Sequence, residues 1–293
     1  MSGGKMREYT YDWNPEEYNN EDGKVLKITK SSYNLFCWCN LKYKFNYIDG
    51  LKQDTSPAML KGSEVHNAIE GFYNDFDLLK AENMSHSELL EYCIGLHPVD
   101  DNTEIYRTCS TFEADRYVTA KMDNKLEDFL PVINEVLLDA ELEIDRFQNK
   151  KFPLRRNYTV HLQGIVDRMY HDNGMYVPVE LKTGLWKEWK KTGIRREMSF
   201  YKMLFDLADD EQIEALGLDP NIEITHWGWY YPESNYLHIE KIKKASINAT
   251  KRGIAKLIHC YEFNEWEATY FYKTCPNCSY FDICDKAQAE SFL

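Results

Sequence analysis

The chain has 293 residues, 43% hydrophobic and 28% charged, and a net charge of −13. This length suits one large domain or one core with a helical annex, the composition is that of an ordinary globular protein, and no apolar run approaches the ~20 residues that span a bilayer. With 35 Lys and Arg against 48 Asp and Glu, the chain is not a generally basic nucleic-acid coat, so any nucleic-acid surface must be a local patch.

Residues 1–27 read as a flexible lead-in. They are polar and lack the apolar core of a signal peptide, so the expected location is intracellular: the cytoplasm, or a host cytoplasm for a viral protein. Thr29, Ser31 or Ser32 caps a helix over about 33–45 that carries Cys37 and Cys39. Ser63 caps a second helix, with Val65, Ile69, Phe72, Tyr73 and Phe76 on one face. Residues 110–130 read as a third. From about 136 the apolar period becomes two: EVLLDAELEIDRF, then YTVHLQGIVDRMY, the turn HDNG, and MYVPVELKTG. Residues 195–208 return to helix. ITHWGWYYPESNYLHIEKI reads as a further hairpin, and residues 246–262 as a helix before a cysteine-bearing tail. The expectation is a single α/β domain over 28–293: mainly helical to 130, a catalytic sheet over 131–245, then a C-terminal helix and cysteine cluster. No GxxxxGK[ST] phosphate loop is present, so no fused ATPase motor is expected.

The hairpin carries the chemistry. Asn173-Gly174 specifies a two-residue type I′ turn. Asp172 then pairs with Met175, and Asp167 lies opposite Glu180. Directly opposed residues hold their Cβ atoms ~4.5–5.5 Å apart on one face, so the two carboxylates can share a hard divalent cation. Lys182, two residues beyond Glu180, projects from the same face. Val177, Val179 and Leu181 project from the other, which suits a core. Carboxylates holding Mg²⁺ or Mn²⁺ polarise a phosphate and acidify a bound water. A lysine beside them stabilises the phosphorane charge or orients that water. This is equipment for phosphodiester hydrolysis; a cross-strand salt-bridge cluster on a solvated face is the competing reading.

Cys275, Cys278 and Cys284 form C-x2-C-x5-C. Three thiolates so close call for a fourth, and Cys37 or Cys39 is available far upstream. Four thiolates suit a [4Fe–4S] cluster or zinc; the three-plus-one split leans towards the cluster. Cys93, Cys109 and Cys260 stand alone and read as buried apolar residues.

Taken in order, a helix with cysteine, G-x-x-x-H, G-x-x-D-R, E-x-K-T-G, a helical tyrosine motif and C-x2-C-x5-C resemble the RecB-like branch of the PD-(D/E)xK nucleases. The pattern is most similar to the CRISPR-associated exonucleases called the Cas four family, over roughly residues 29 to 286. The resemblance implies a restriction-endonuclease-like α/β/α core with an iron–sulfur-bound tail. It implies His66, Asp167, Glu180 and the backbone carbonyl of Leu181 as ligands of the hard metal, and Lys182 and Tyr201 as catalytic. Glu197 stands one turn before Tyr201, where the family carries glutamine. Cys39, followed by Asn40-Leu41-Lys42-Tyr43, takes the place of the first cluster cysteine, beside Cys275, Cys278 and Cys284. DNA, single-stranded or with ends, is the implied substrate, a helicase or integrase-type protein the implied partner, and no membrane is involved.

After the catalytic strand, residues 182–196 hold Lys182, Lys187, Lys190, Lys191, Arg195 and Arg196 against one acid, Glu188, with Trp186 and Trp189 interleaved. Cations neutralise phosphates and indoles stack on unpaired bases, so this stretch is the expected DNA path. Lys150, Lys151, Arg155 and Arg156 read as a solvated charge run. The functional expectation is an exonuclease on single-stranded or frayed DNA. A repair endonuclease, a helicase-partnered nuclease and a catalytically weak DNA-end-binding adaptor are the alternatives.

Overall fold

The computed structural model describes residues 7–18, 23–51, 57–172 and 174–290. Among them, seven strands form one sheet: β1 (Glu8–Thr10), β2 (Lys24–Thr29), β3 (Ile133–Ile144), β4 (Tyr158–Asp172), β5 (Met175–Leu181), β6 (His226–Tyr231) and β7 (Tyr236–Lys241), in the order β1-β2-β4-β5-β6-β7 with β3 on β4. The long strand β4 organises it. The antiparallel β3 follows one edge of β4 from Tyr158 to Met169. The other edge is shared. Parallel β2 takes His161 to Gln163, and antiparallel β5 takes Arg168 to Asp172. The carboxyl ends of β2 and β5 therefore meet head-on, leaving a seam beside Gly164 to Asp167. A Cβ on Gly164 would stand 3.0 Å from Leu204 Cδ1, so the seam needs a glycine for the helix to approach.

The chain leaves β2 directly into α1 (Lys30–Trp38), where Thr29 and Ser32 form a reciprocal capping box. Cys39 is extended (φ −155°, ψ 115°) and breaks the helix before α2 (Asn40–Tyr43) and a π-type turn over 44–48. The helix expected over 33–45 thus starts earlier and is cut at Cys39. Then come α3 (Pro57–Asp75), α4 (Leu78–Ala81), α5 (His86–Gly95) and α6 (Thr103–Met122). Ser63 lies inside α3 instead of capping it, since Pro57 already supplies a preorganised first turn. The chain leaves β5 towards α7 (Lys191–Leu207); α8 (Asp210–Ala215), α9 (Lys244–Phe263) and α10 (Asp285–Glu290) complete the set. The lead-in is partly structured: β1 and β2 fall within it, and Trp13 and Tyr18 pack on Tyr158.

The two faces of the sheet bury against different helices. Tyr33 and Phe36 of α1, Met198 and Leu204 of α7 and Ile254 and Leu257 of α9 share one core with Leu138, Val160 and Trp229. Val177, Val179 and Leu181 pack with Val65 and Ile69 of α3 and Tyr106 of α6 on the other. Phe72, Phe76, Leu89, Tyr117 and Phe129 form a third cluster that makes α3, α5 and α6 a helical annex. Ile133 and Val136, three residues apart, would face opposite ways in a regular strand, yet both join the first core, as do Val166 and Met169. The pleat inverts at Glu135, whose φ of 54° is a left-handed value inside a strand. No helix among the described residues is long and apolar enough to cross a membrane.

Candidate active site

The expected hairpin register is present: Asp172 pairs with Met175 and Arg168 with Val179, so the next step brings Asp167 opposite Glu180. Gly174 takes φ 79°, as the turn requires, while Asn173 lies outside the described residues. From the other side, Asn134 pairs with Arg168 and Val136 with Val166, which sets Glu135 beside Asp167 as well.

Asp167 and Glu180 are buried, at 6% and 1% exposure. Asp167 Oδ2 accepts the backbone N–H of Leu181 at 2.8 Å, and Oδ1 accepts the Tyr201 hydroxyl at 3.3 Å. Glu180 accepts from Lys30 Nζ at 2.9 and 3.0 Å, and Lys182 Nζ lies 2.6 Å from its Oε1. Lys182 also donates to Glu197 at 2.7 Å, and Lys30 donates to the Tyr201 hydroxyl. Burial alone would raise the Glu180 carboxyl, but the ammoniums of Lys182 and Lys30 outweigh it and hold the group below the usual carboxylate range. Burial would lower Lys182; Glu180 and Glu197 overcome it and keep the ammonium charged. Burial lifts the Glu197 carboxyl. Either oxygen of the Glu197 side chain can accept the Lys182 bond.

His66, half-buried in the middle of α3, has Nε2 3.5 Å from Asp167 Oδ2 and 3.3 Å from Glu135 Oε1. The bond to Asp167 raises its imidazole pKa against the effect of burial. Burial and the neighbouring Asp167 push the Glu135 carboxyl up to about 7. His66, Glu70 and Glu135 present donor atoms all within 4.8 Å of one another. Carboxylate oxygens suit Mg²⁺ or Mn²⁺, and the imidazole nitrogen favours the softer Mn²⁺ of the two. Thus one flank of Asp167 is basic (Lys30, Lys182) and the other is acidic with one imidazole. Lys30, His66, Asp167, Glu180, Lys182 and Glu197 edge an open cleft of about 770 Å³ between α1 and α3, lined also by Leu181, Asn34, Trp38 and Met59.

Lys30, Glu70 and Glu135 were missing from the sequence reading. Glu70 had a signal, the i, i+4 spacing from His66 on one helix face. Lys30 looks like any lysine beside a helix cap. Glu135 is reached only through the β3–β4 pairing, and residues 145–157 between them carry no short-turn signature.

Cys39, Cys275, Cys278 and Cys284 line one cavity between the end of α1 and the tail, walled by Trp38, Leu41, Phe45, Tyr280 and Phe281. The break at Cys39 turns its thiol there. Cys37 lies elsewhere on α1, near Tyr33 and Arg196, and burial raises its thiol pKa. Cys93, Cys109 and Cys260 are buried, each pushed up to about 12 by burial.

Most of the basic stretch expected as a DNA path is engaged with the protein itself. The ring of Trp186 stacks on Tyr236 at 4.9 Å and Trp229 at 5.9 Å and meets Tyr231 edge-on, so it fastens the loop to the core. Lys190 folds back to the carbonyl of Leu185, Lys191 pairs with Glu188, and Arg195 pairs with Glu240. Arg196 turns towards Cys37 and Tyr33. Lys187 and Trp189, the latter 78% exposed, remain at the surface. Arg155 and Arg156 of the more distal run are engaged with Glu16 and the carbonyl of Pro15.

The family model described as the PD-(D/E)XK nuclease superfamily matches residues 27–285. A solved structure titled "Crystal structure of SSO0001" aligns over 88% of this chain and 86% of that chain, with a TM-score of 0.43 and 12% sequence identity. No curated protein matches the chain.

Proposed function

The chain belongs to the PD-(D/E)XK nuclease superfamily, and from that premise we propose that it is a divalent-metal-dependent DNA nuclease acting on single-stranded or frayed ends. The observation that carries this reading is the seam itself: Asp167 and Glu180 opposed and buried, with Lys182 fixed between Glu180 and Glu197. Asp167, Glu180, His66 and the Leu181 carbonyl would hold Mg²⁺ or Mn²⁺, with Glu135 and Glu70 close behind. Such an ion supplies Lewis acidity towards a phosphate oxygen and lowers the pKa of a bound water.

The protein's own residues then have separable tasks. Lys182, beside Glu180 and Glu197, is positioned to stabilise negative charge developing on phosphate. Glu197 and Glu180 aim it. Tyr201, fully buried, fixes the Asp167 carboxylate through its hydroxyl. Lys30 neutralises Glu180 from the α1 side.

The motif order suggests the RecB-like branch near the Cas four family, and with it ends opened by a helicase or passed to an integrase-type protein. The four thiols in one cavity support a [4Fe–4S] cluster with a structural task, tying the tail to α1. The test is digestion of end-labelled and circular DNA, single- and double-stranded, with Mn²⁺, Mg²⁺ or EDTA. Linear single strands should be shortened with either ion, and Asp167→Asn and Glu180→Gln should lose on the order of 10²-fold or more in rate. Equal cutting by both folded variants refutes the catalytic assignment.

A further inference from the structure

Trp38 is the last residue of α1, and it lines two spaces at once: the catalytic cleft and the thiol cavity. Large aromatic side chains at such a junction normally bury themselves, yet Trp38 is 43% exposed. One side of its indole stacks on Phe271 of the tail, with centroids 5.5 Å apart at 27°. Phe271 is also 43% exposed, and its neighbour Tyr272 is 72% exposed. Lys42 Nζ stands 5.9 Å from the Trp38 centroid, and Lys273 Nζ 5.4 Å from that of Tyr272. Exposed aromatic faces alternating with ammoniums, continuous with a cleft that ends in carboxylates, form the surface that unpaired nucleotides require: π-faces for bases and cations for the phosphates between them.

We propose that Trp38 and Phe271, with Lys42, form the base-stacking platform that holds single-stranded DNA as it enters the cleft. The proposal rests on the nuclease reading and adds the place where the strand is gripped. It differs from the stretch over 182–196: Trp186 is already stacked within the core, whereas Trp38 lines the cleft beside the carboxylates. Stacking is indifferent to base identity, so the platform favours unpaired over duplex DNA without reading sequence.

The test is fluorescence anisotropy with a short labelled oligo(dT), with Ca²⁺ as the ion so that cleavage is suppressed. It is run beside an abasic oligomer of equal length that keeps the phosphates but offers nothing to stack. The protein variants are Trp38→Leu/Phe271→Leu, which keeps apolar bulk, and Trp38→Phe, which keeps a π-face. The double variant should bind oligo(dT) on the order of tenfold or more weakly, Trp38→Phe within a fewfold of wild type, and all three proteins should bind the abasic oligomer alike. A loss of equal size on both oligomers would mark general damage to the tail and overturn the proposal, as would unchanged oligo(dT) binding by a double variant of normal melting behaviour. A wild type that binds neither oligomer also overturns it. A wild type that binds as expected but cuts nothing with Mn²⁺ overturns the catalytic reading alone.

Discussion

Replacing Lys30 by methionine removes a charge while keeping a side chain of similar length. The ammonium lies 2.9 and 3.0 Å from the Glu180 oxygens and 3.8 Å from Asp167 Oδ1. At an effective dielectric of about 20, unit charges that close attract by about 5 kcal/mol, before the desolvation of both groups is counted. Removing one partner of a buried pair typically costs about 3–5 kcal/mol. Glu180 keeps Lys182 at 2.6 Å, so the lower end, about 3 kcal/mol, is expected for Lys30→Met. At about 2–4 °C per kcal/mol the melting temperature in EDTA falls by roughly 6–12 °C. A divalent cation held by Asp167 and Glu180 would replace the missing charge, so Mn²⁺ should raise the variant's Tm more than that of wild type. Thermal melts of both proteins in EDTA and across a Mn²⁺ series measure this directly. A variant within about 2 °C of wild type in EDTA, or equal Mn²⁺ shifts, would show that Lys30 is not neutralising the site.

His97 stacks between Phe72 and Tyr106, and burial lowers its imidazole to about 4. The unfolded chain takes up that proton near pH 6.5 and the folded chain does not, so stability is full above 6.5 and declines as pH falls towards 4. His97→Phe should flatten the decline by up to about 3 kcal/mol, and identical acid slopes in denaturant titrations would refute this. Anaerobically purified protein should contain about four irons per chain; Cys39→Ala should lose them and Cys37→Ala keep them, whereas one zinc and no iron would replace the cluster by a zinc staple. Trp186→Ala should lower Tm by several degrees with little effect on oligo(dT) affinity, since its ring faces are taken by Tyr236 and Trp229; the opposite pattern would restore it as a DNA contact.

The hairpin that opposes Asp167 and Glu180 was legible because two local rules fix it. A two-residue turn sets the register, and strand alternation then assigns every side chain to a face. What escaped were contacts made across long connections. Glu135 meets Asp167 only after residues 145–157 have folded back, and its inverted pleat follows no alternation rule. Lys30 is partly covered by tertiary packing that its polarity would not announce. The stretch over 182–196 shows the converse limit. Its composition is that of a nucleic-acid path, but composition does not say which rings the core will claim, and Trp186 found three aromatic neighbours. The stacked, exposed pair Trp38 and Phe271 is too far apart in sequence for any local pattern to join.

The thiol cavity also sets a timetable for synthesis. The last sheet strand ends at Lys241, whereas the final cavity thiol is Cys284, 43 residues later. At about 5–20 residues per second, the ribosome needs roughly 2–9 s to add them. During that interval every residue of the Asp167–Glu180–Lys182 constellation has been made, while Cys39 and Trp38 still lack the tail that covers them. Phe271, Cys275, Cys278 and Cys284 therefore reach Trp38 and Cys39 only after the whole sheet has been synthesised, so the thiol cavity closes later than the seam beside β4.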